Sequence, residues 1–156
     1  MSCPEFLFCP LRKEAVAALP EEKVRQRLLT HMMTDLGFPP TLIVVEKSLR
    51  QLPHLTAQER LHIPDRRADV ICFAKGIHPS YDLYPLLTVE CKAVPLTPRV
   101  ISQVVGYNHF VKACFIAMVN QDQLKMGWFD PVQQQYVFLD YLPTYQALLK
   151  RLKYEG

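Results

Sequence analysis

Residues 65–92 read DRRADVICFAKGIHPSYDLYPLLTVECK. Two apolar runs stand here, and each carries acid where a buried strand should have none. Asp69 opens the first run, ahead of Val70, Ile71, Cys72 and Phe73. Glu90 and Lys92 close the second, after Leu86, Leu87, Thr88 and Val89. Side chains of a strand alternate between faces, so Glu90 and Lys92 point the same way. Neighbouring strands would bring Asp69, Glu90 and Lys92 to one sheet edge. Two carboxylates and the main-chain carbonyl of Cys91 then form an oxygen-rich pocket suited to Mg²⁺, with Mn²⁺ as a substitute. A lysine beside that pocket can hold a water or a developing negative charge. A Glu-x-Lys triplet alone is too common to decide anything. Placement carries the weight, because unpaired carboxylates are costly in strands that otherwise read as core. The competing reading is an ion pair, with Lys92 neutralising Asp69 or Glu90 at a sheet end.

Working outward, residues 1–19 show no clear period and read as a lead-in, with a short helix expected near 13–18. Pro20 suits the first turn of a helix, and Glu21 and Glu22 suit its N-terminal dipole. Gly37 and the Pro39–Pro40 pair stop it. Val24, Leu28, Leu29, Met32 and Leu36 make an apolar stripe. Arg25 falls within that stripe and Glu22 on its edge, so both need partners or must snorkel. TLIVVE at 41–46 reads as a strand. Residues 49–63 read as a loop or a frayed continuation of that strand, with His54 and His62 on the surface. Strands are expected at 67–74 and 86–93, with a turn-rich connector at 76–84. Thr97 and Pro98 begin a helix running to about Lys112. Its core face holds Val100, Val104, Tyr107 and Val111. Gln103, beside Tyr107 on that face, also needs a partner. ACFIAMVN at 113–120 reads as a fully buried strand, and strand–helix–strand suggests a parallel crossover. A terminal hairpin, 126–130 with 135–141, and a basic amphipathic helix, 145–153, complete the pattern.

At 156 residues, one domain is expected: lead-in 1–19, core 20–120, hairpin and helix 121–156. Apolar content of 49% and charged content of 21% are ordinary for a globular protein. No apolar run suits a membrane span, and the first residues do not read as a signal peptide. Of five cysteines, Cys72, Cys91 and Cys114 sit in strand-like apolar runs, as reduced thiols do. Cys3 and Cys9 are a weak zinc suggestion with no second pair at finger spacing. A cytoplasmic location is expected. A net charge of +3 permits nucleic-acid binding without arguing for it.

EEKVRQRLLTHMMTDLGFP, VVEKSL, RRADVICF, LLTVECKA and ISQVVGY, in that order, resemble the N-terminal nuclease domain of type I restriction endonuclease R subunits. That domain belongs to the PD-(D/E)XK nuclease superfamily. The resemblance spans about residues 21–120. It implies a restriction-endonuclease-like α/β fold, a mixed sheet flanked by helices in the order α-β-β-β-α-β. It implies a Mg²⁺-dependent endonuclease that hydrolyses DNA. Glu22 matches the helix glutamate, Asp69 the metal aspartate, Glu90 and Lys92 the motif acid and lysine. Gln103 matches the glutamine of the following helix, with Tyr107 in its aromatic neighbour position. On this reading Asp69, Glu90, the Cys91 carbonyl and Glu22 hold metal, Gln103 orients Lys92 or a phosphate, and Arg25 ties an active-site carboxylate in place. No G-x-x-x-x-G-K-[ST] phosphate loop occurs, so ATP-driven translocation is not expected of this chain. DNA is the expected partner, with room for protein subunits or a homodimer. The alternative is a module on the same fold that holds DNA or a protein without cutting. A third class is a structural protein with a buried ion pair.

Overall fold

The computed structural model describes residues 5–155. A two-stranded hairpin comes first, β1 (Phe6–Cys9) with β2 (Glu14–Ala17). The short helix expected near 13–18 is therefore absent. The intervening turn closes through Lys13 N–H donating to the Cys9 carbonyl at 2.7 Å, with Lys13 at φ 54°. This geometry commits 14–17 to pairing back on β1. Cys9 is buried, while Cys3, the other half of the zinc suggestion, lies outside the described residues.

Helix α1 (Pro20–Thr34) begins with proline at its first turn and is left by Gly37 at φ 71°. Its buried face is the expected stripe, Val24, Leu28, Leu29 and Met32, and it includes Glu22 and Arg25. Strand β3 (Ile43–Ser48) follows a 3₁₀ turn over 40–42, two residues later than its β-branched pattern suggested. Residues 49–63 are more ordered than a loop. They hold a second 3₁₀ turn and a short helix α2 (Ala57–Leu61), N-capped by Thr56. His54 is also buried rather than on the surface. Its Nε2 lies 2.7 Å from the Val111 carbonyl, an acceptor that the end of a helix leaves free.

Strands β4 (Arg67–Lys75) and β5 (Leu83–Cys91) form the long antiparallel pair at the sheet centre. β5 starts three residues earlier than its apolar run, carrying Pro85 through a register shift opposite Phe73. Helix α3 (Pro98–Val111) is capped by Thr97, whose hydroxyl accepts from Val100 N–H. Lys112 at φ 59° ends it, and the Asn108 amide bonds both backbone groups of Ala113. The chain then enters β6 (Phe115–Val119), parallel to β5, as the crossover pattern required. β7 (Leu124–Asp130) and β8 (Gln135–Leu139) extend the sheet antiparallel, and α4 (Tyr145–Glu155) follows.

The result is a mixed six-stranded sheet in the order β3-β4-β5-β6-β7-β8, in keeping with a restriction-endonuclease-like fold. One face buries Val70, Val89, Ala117 and Trp128 with Leu29 and Met32 of α1 and Leu148 of α4. On the other, Ile116 and Met118 pack with Val104 of α3. Each fully buried aliphatic side chain contributes roughly 2 kcal/mol of transfer free energy. These layers hold the N-terminal end of β4 and the C-terminal end of β5 side by side. No helix among the described residues is long and apolar enough to cross a membrane.

Candidate active site

Val70 pairs with Val89 in the antiparallel β4–β5 ladder. One step further along both strands, Asp69 stands opposite Glu90, and directly opposed residues share a face. Cys91 N–H donates to Asp69 Oδ2 at 2.7 Å, which holds that carboxylate against the end of β5. The Glu90 residue is 5% exposed. Burial pushes its carboxyl up to about 8, and the charge and hydrogen bonding of Asp69 push in the same direction. Arg66 and Lys92 act against this rise. Lys92 follows β5, and its N–H donates to the Val119 carbonyl at 2.8 Å. The strand order thus brings Asp69, Glu90 and Lys92 to one end of the sheet, as alternation and pairing required.

Glu22 occupies a different environment from a free metal acid. Arg25 Nε donates to its Oε2 at 2.7 Å, and Arg25 Nη2 stands 2.6 Å from the same oxygen. Its Oε1 accepts from Arg12 Nη2 and, at 3.1 Å, from Gln26 Nε2. Both oxygens are therefore held by neighbours from the hairpin turn and from α1 itself. Arg25 also extends to the sheet, with Nη1 3.5 Å from the Asp69 carbonyl and 4.0 Å from Asp69 Oδ1. The arginine that interrupts the apolar stripe is thus a tie between Glu22 and the β4 strand, not a snorkelling side chain.

Three participants escaped the sequence reading. Glu46 of β3 lies level with Asp69, between the Val45–Val70 and Lys47–Ala68 pairs. It accepts from Arg25 Nη2 at 3.4 Å and from Arg12 Nη1 at 3.5 Å. Its φ of 53° is uncommon for a residue with a side chain and marks a local distortion of the edge strand. The only hint in the sequence was an acid ending a β-branched run. Arg12 sits in a turn with no pattern at all. Arg66, just before β4, places Nη2 3.0 Å from Glu90 Oε2 and its guanidinium carbon 3.4 Å from the centre of the Tyr107 ring. Tyr107 of α3 therefore serves this site through Arg66. Gln103 does not join it. It is exposed on α3, and its side chain makes no hydrogen bond among the described residues.

Four carboxylates, Glu22, Glu46, Asp69 and Glu90, are thus interleaved with Arg12, Arg25, Arg66 and Lys92. No cluster of three or more His, Cys, Asp or Glu side chains that could hold a metal ion is assembled among the described residues. The donor set is narrower: the facing pair Asp69 and Glu90, with the carbonyl of Cys91 next after Glu90 in sequence. This set still fits a hard divalent cation. Mg²⁺ commonly takes only one or two protein carboxylates and fills its remaining positions with water and phosphate oxygen. Glu22, with both oxygens engaged, does not fit that role.

A cleft of about 520 Å³ opens beside this cluster, lined by Arg12, Glu22, Arg25, Glu46 and Ala93. Across Pro20 and Ala93 it adjoins a second hollow of about 530 Å³, lined by Lys23, Arg27 and the 120–123 turn. A third hollow, about 790 Å³, lies further along α1 beside His31 and Asp35, away from the carboxylate pair. The first cleft meets the cluster on its Arg12, Glu22, Arg25 and Glu46 side; Asp69, Glu90 and Lys92 line none of these three hollows.

A family model described as type I restriction enzyme R protein N terminus matches residues 20–143. No curated protein and no solved structure matches the chain.

Proposed function

We propose, given that the chain belongs to the family of type I restriction enzyme R protein N termini, that it is a divalent-cation-dependent endonuclease acting on DNA phosphodiester bonds. The observation that carries this reading is the facing pair Asp69 and Glu90 with Lys92 two residues on. Ionising both of two facing carboxylates, one of them buried, is costly unless cations share their charge.

Asp69, Glu90 and the Cys91 carbonyl are the groups that would hold Mg²⁺, or Mn²⁺ in its place. When bound, the cation supplies Lewis-acid polarisation of the phosphate and a more acidic water. The chain's own residues do the rest. The Cys91 N–H and Arg25 keep Asp69 in one orientation. Lys92 presents its ammonium where negative charge builds on the phosphate or the attacking water. Glu22 is a positioning residue in this reading: it anchors Arg25, and Arg25 steadies β4. Lys23 and Arg27 offer contacts to the sugar-phosphate backbone along the adjoining hollow, so binding weakens with salt. No element for reading bases is apparent in the sequence, and sequence choice would then come from partner subunits of a restriction-modification assembly. The location consistent with such an assembly is the cytoplasm.

Incubation of supercoiled plasmid with Mg²⁺ tests the reading. The wild-type protein should nick it, and Glu90→Ala or Lys92→Ala should lose nicking while circular dichroism shows the fold retained. Undiminished cleavage by either variant removes the assignment. A mobility shift without any nicking by the wild type would instead identify a binding module on the same fold.

A further inference from the structure

Arg66 is held in a way that a purely structural ion pair does not require. It meets Glu90 through Nη2 alone. Arginine and carboxylate commonly pair through two parallel bonds. Here the fork is half used, and Nε is buried with no hydrogen-bond partner among the described residues. The Arg66 side chain is 28% exposed, whereas that of Glu90 is 6% exposed. The arginine therefore stands at the mouth of the site and the glutamate on its floor. Tyr107 supports the guanidinium by its ring face, a contact that does not dictate the in-plane direction of the N–H groups.

A divalent cation between Asp69 and Glu90 would face this guanidinium at close range, and like charges at such distances repel strongly in a partly desolvated site. The nearest new anion would be the phosphodiester drawn to the same cation. Resting on the nuclease reading above, the geometry points to Arg66 as a resident counter-ion of Glu90 that yields to the divalent cation and turns its fork to a phosphodiester oxygen. Tyr107 is the platform on which it turns. Arg66 is then a substrate-positioning residue whose resting partner is the metal-binding acid.

The test begins without DNA. Mn²⁺ is titrated into wild-type protein, Arg66→Gln and Arg66→Lys, with free Mn²⁺ followed by electron paramagnetic resonance. Arg66→Gln should bind Mn²⁺ about tenfold tighter than wild type, and Arg66→Lys should stay near it. In Ca²⁺, Arg66→Gln should bind a short DNA duplex about tenfold more weakly and lose about one unit of salt-dependence slope. Equal Mn²⁺ affinity in wild type and Arg66→Gln overturns the counter-ion role while leaving the nuclease reading standing. Unchanged DNA binding overturns the phosphate role. Failure of Mn²⁺ to bind any of the three sinks the nuclease reading and this one together. If Arg66→Gln does not fold, the wild-type protein decides: its Arg66 Nε–Hε resonance should move on addition of Ca²⁺, and an unmoved signal refutes the proposal.

Discussion

Replacement of Glu90 by glutamine removes one proton-binding site and almost no volume, so its effect on stability should depend on pH in a defined sense. In the folded chain burial, with Asp69 opposite, pushes Glu90 from the ordinary 4.5 up to about 8. Below the ordinary value both folded and unfolded chains carry the proton, and no penalty arises. As pH rises towards 8, the unfolded chain ionises first, and the folded state loses stability. Above that range the penalty is complete. At about 1.4 kcal/mol for each tenfold difference in proton affinity, the full effect is on the order of 5 kcal/mol. The groups that set it are Asp69 on β4, Arg66 just before β4, and Lys92 just after β5. The assay is urea unfolding in EDTA between about pH 5 and 9, wild type against Glu90→Gln. The stability gap should shift in favour of the variant by several kcal/mol across that span. Added Ca²⁺ should close the gap by stabilising the wild type alone, since binding to the folded state raises its stability by mass action. Two curves that stay parallel across the whole range would refute the argument, because a residue already ionised at low pH cannot produce the divergence.

Other perturbations test the frame around the site. Arg25→Ala strips the buried Glu22 of its contacts at 2.6–2.7 Å and should cost about 2–4 kcal/mol in chemical denaturation, with Arg12 offsetting part of the loss. Asn108→Ala leaves the buried Ala113 N–H and carbonyl without their side-chain partner and should cost about 2 kcal/mol by the same measurement. Gly127→Ala places a methyl group 2.5 Å from the Val137 carbonyl and 2.6 Å from the Phe138 ring, so thermal unfolding should show a lower Tm, by several degrees or more.

Much of the fold is decided by local chemistry that any reader of the sequence can follow. Pro20 and Gly37 bound α1, Thr97 and Pro98 start α3, and the uninterrupted apolar run of β6 demands burial on both faces. Alternation through the end of β5 puts Glu90 and Lys92 on one side, and Asp69 needs only that β4 pair with β5. These inferences succeed because capping, side-chain alternation and burial act over a few neighbouring residues. They fail where a residue's fate depends on chain elements distant in sequence. Nothing near residue 12 announces that its guanidinium will meet Glu22 and Glu46, and a helix expected at 13–18 becomes a strand because β1 is available to pair with it. His54 looks like a surface residue until the end of α3 arrives to bond its imidazole. Gln103 shares the spacing of the α3 core face, yet in the packed structure it is exposed while Tyr107 meets Arg66. The sequence by itself thus determined which acids and which lysine end the central strands. Only the tertiary structure decided which arginine neutralises each acid, because charge pairing is set by distance in space and carries no signature in spacing along the chain.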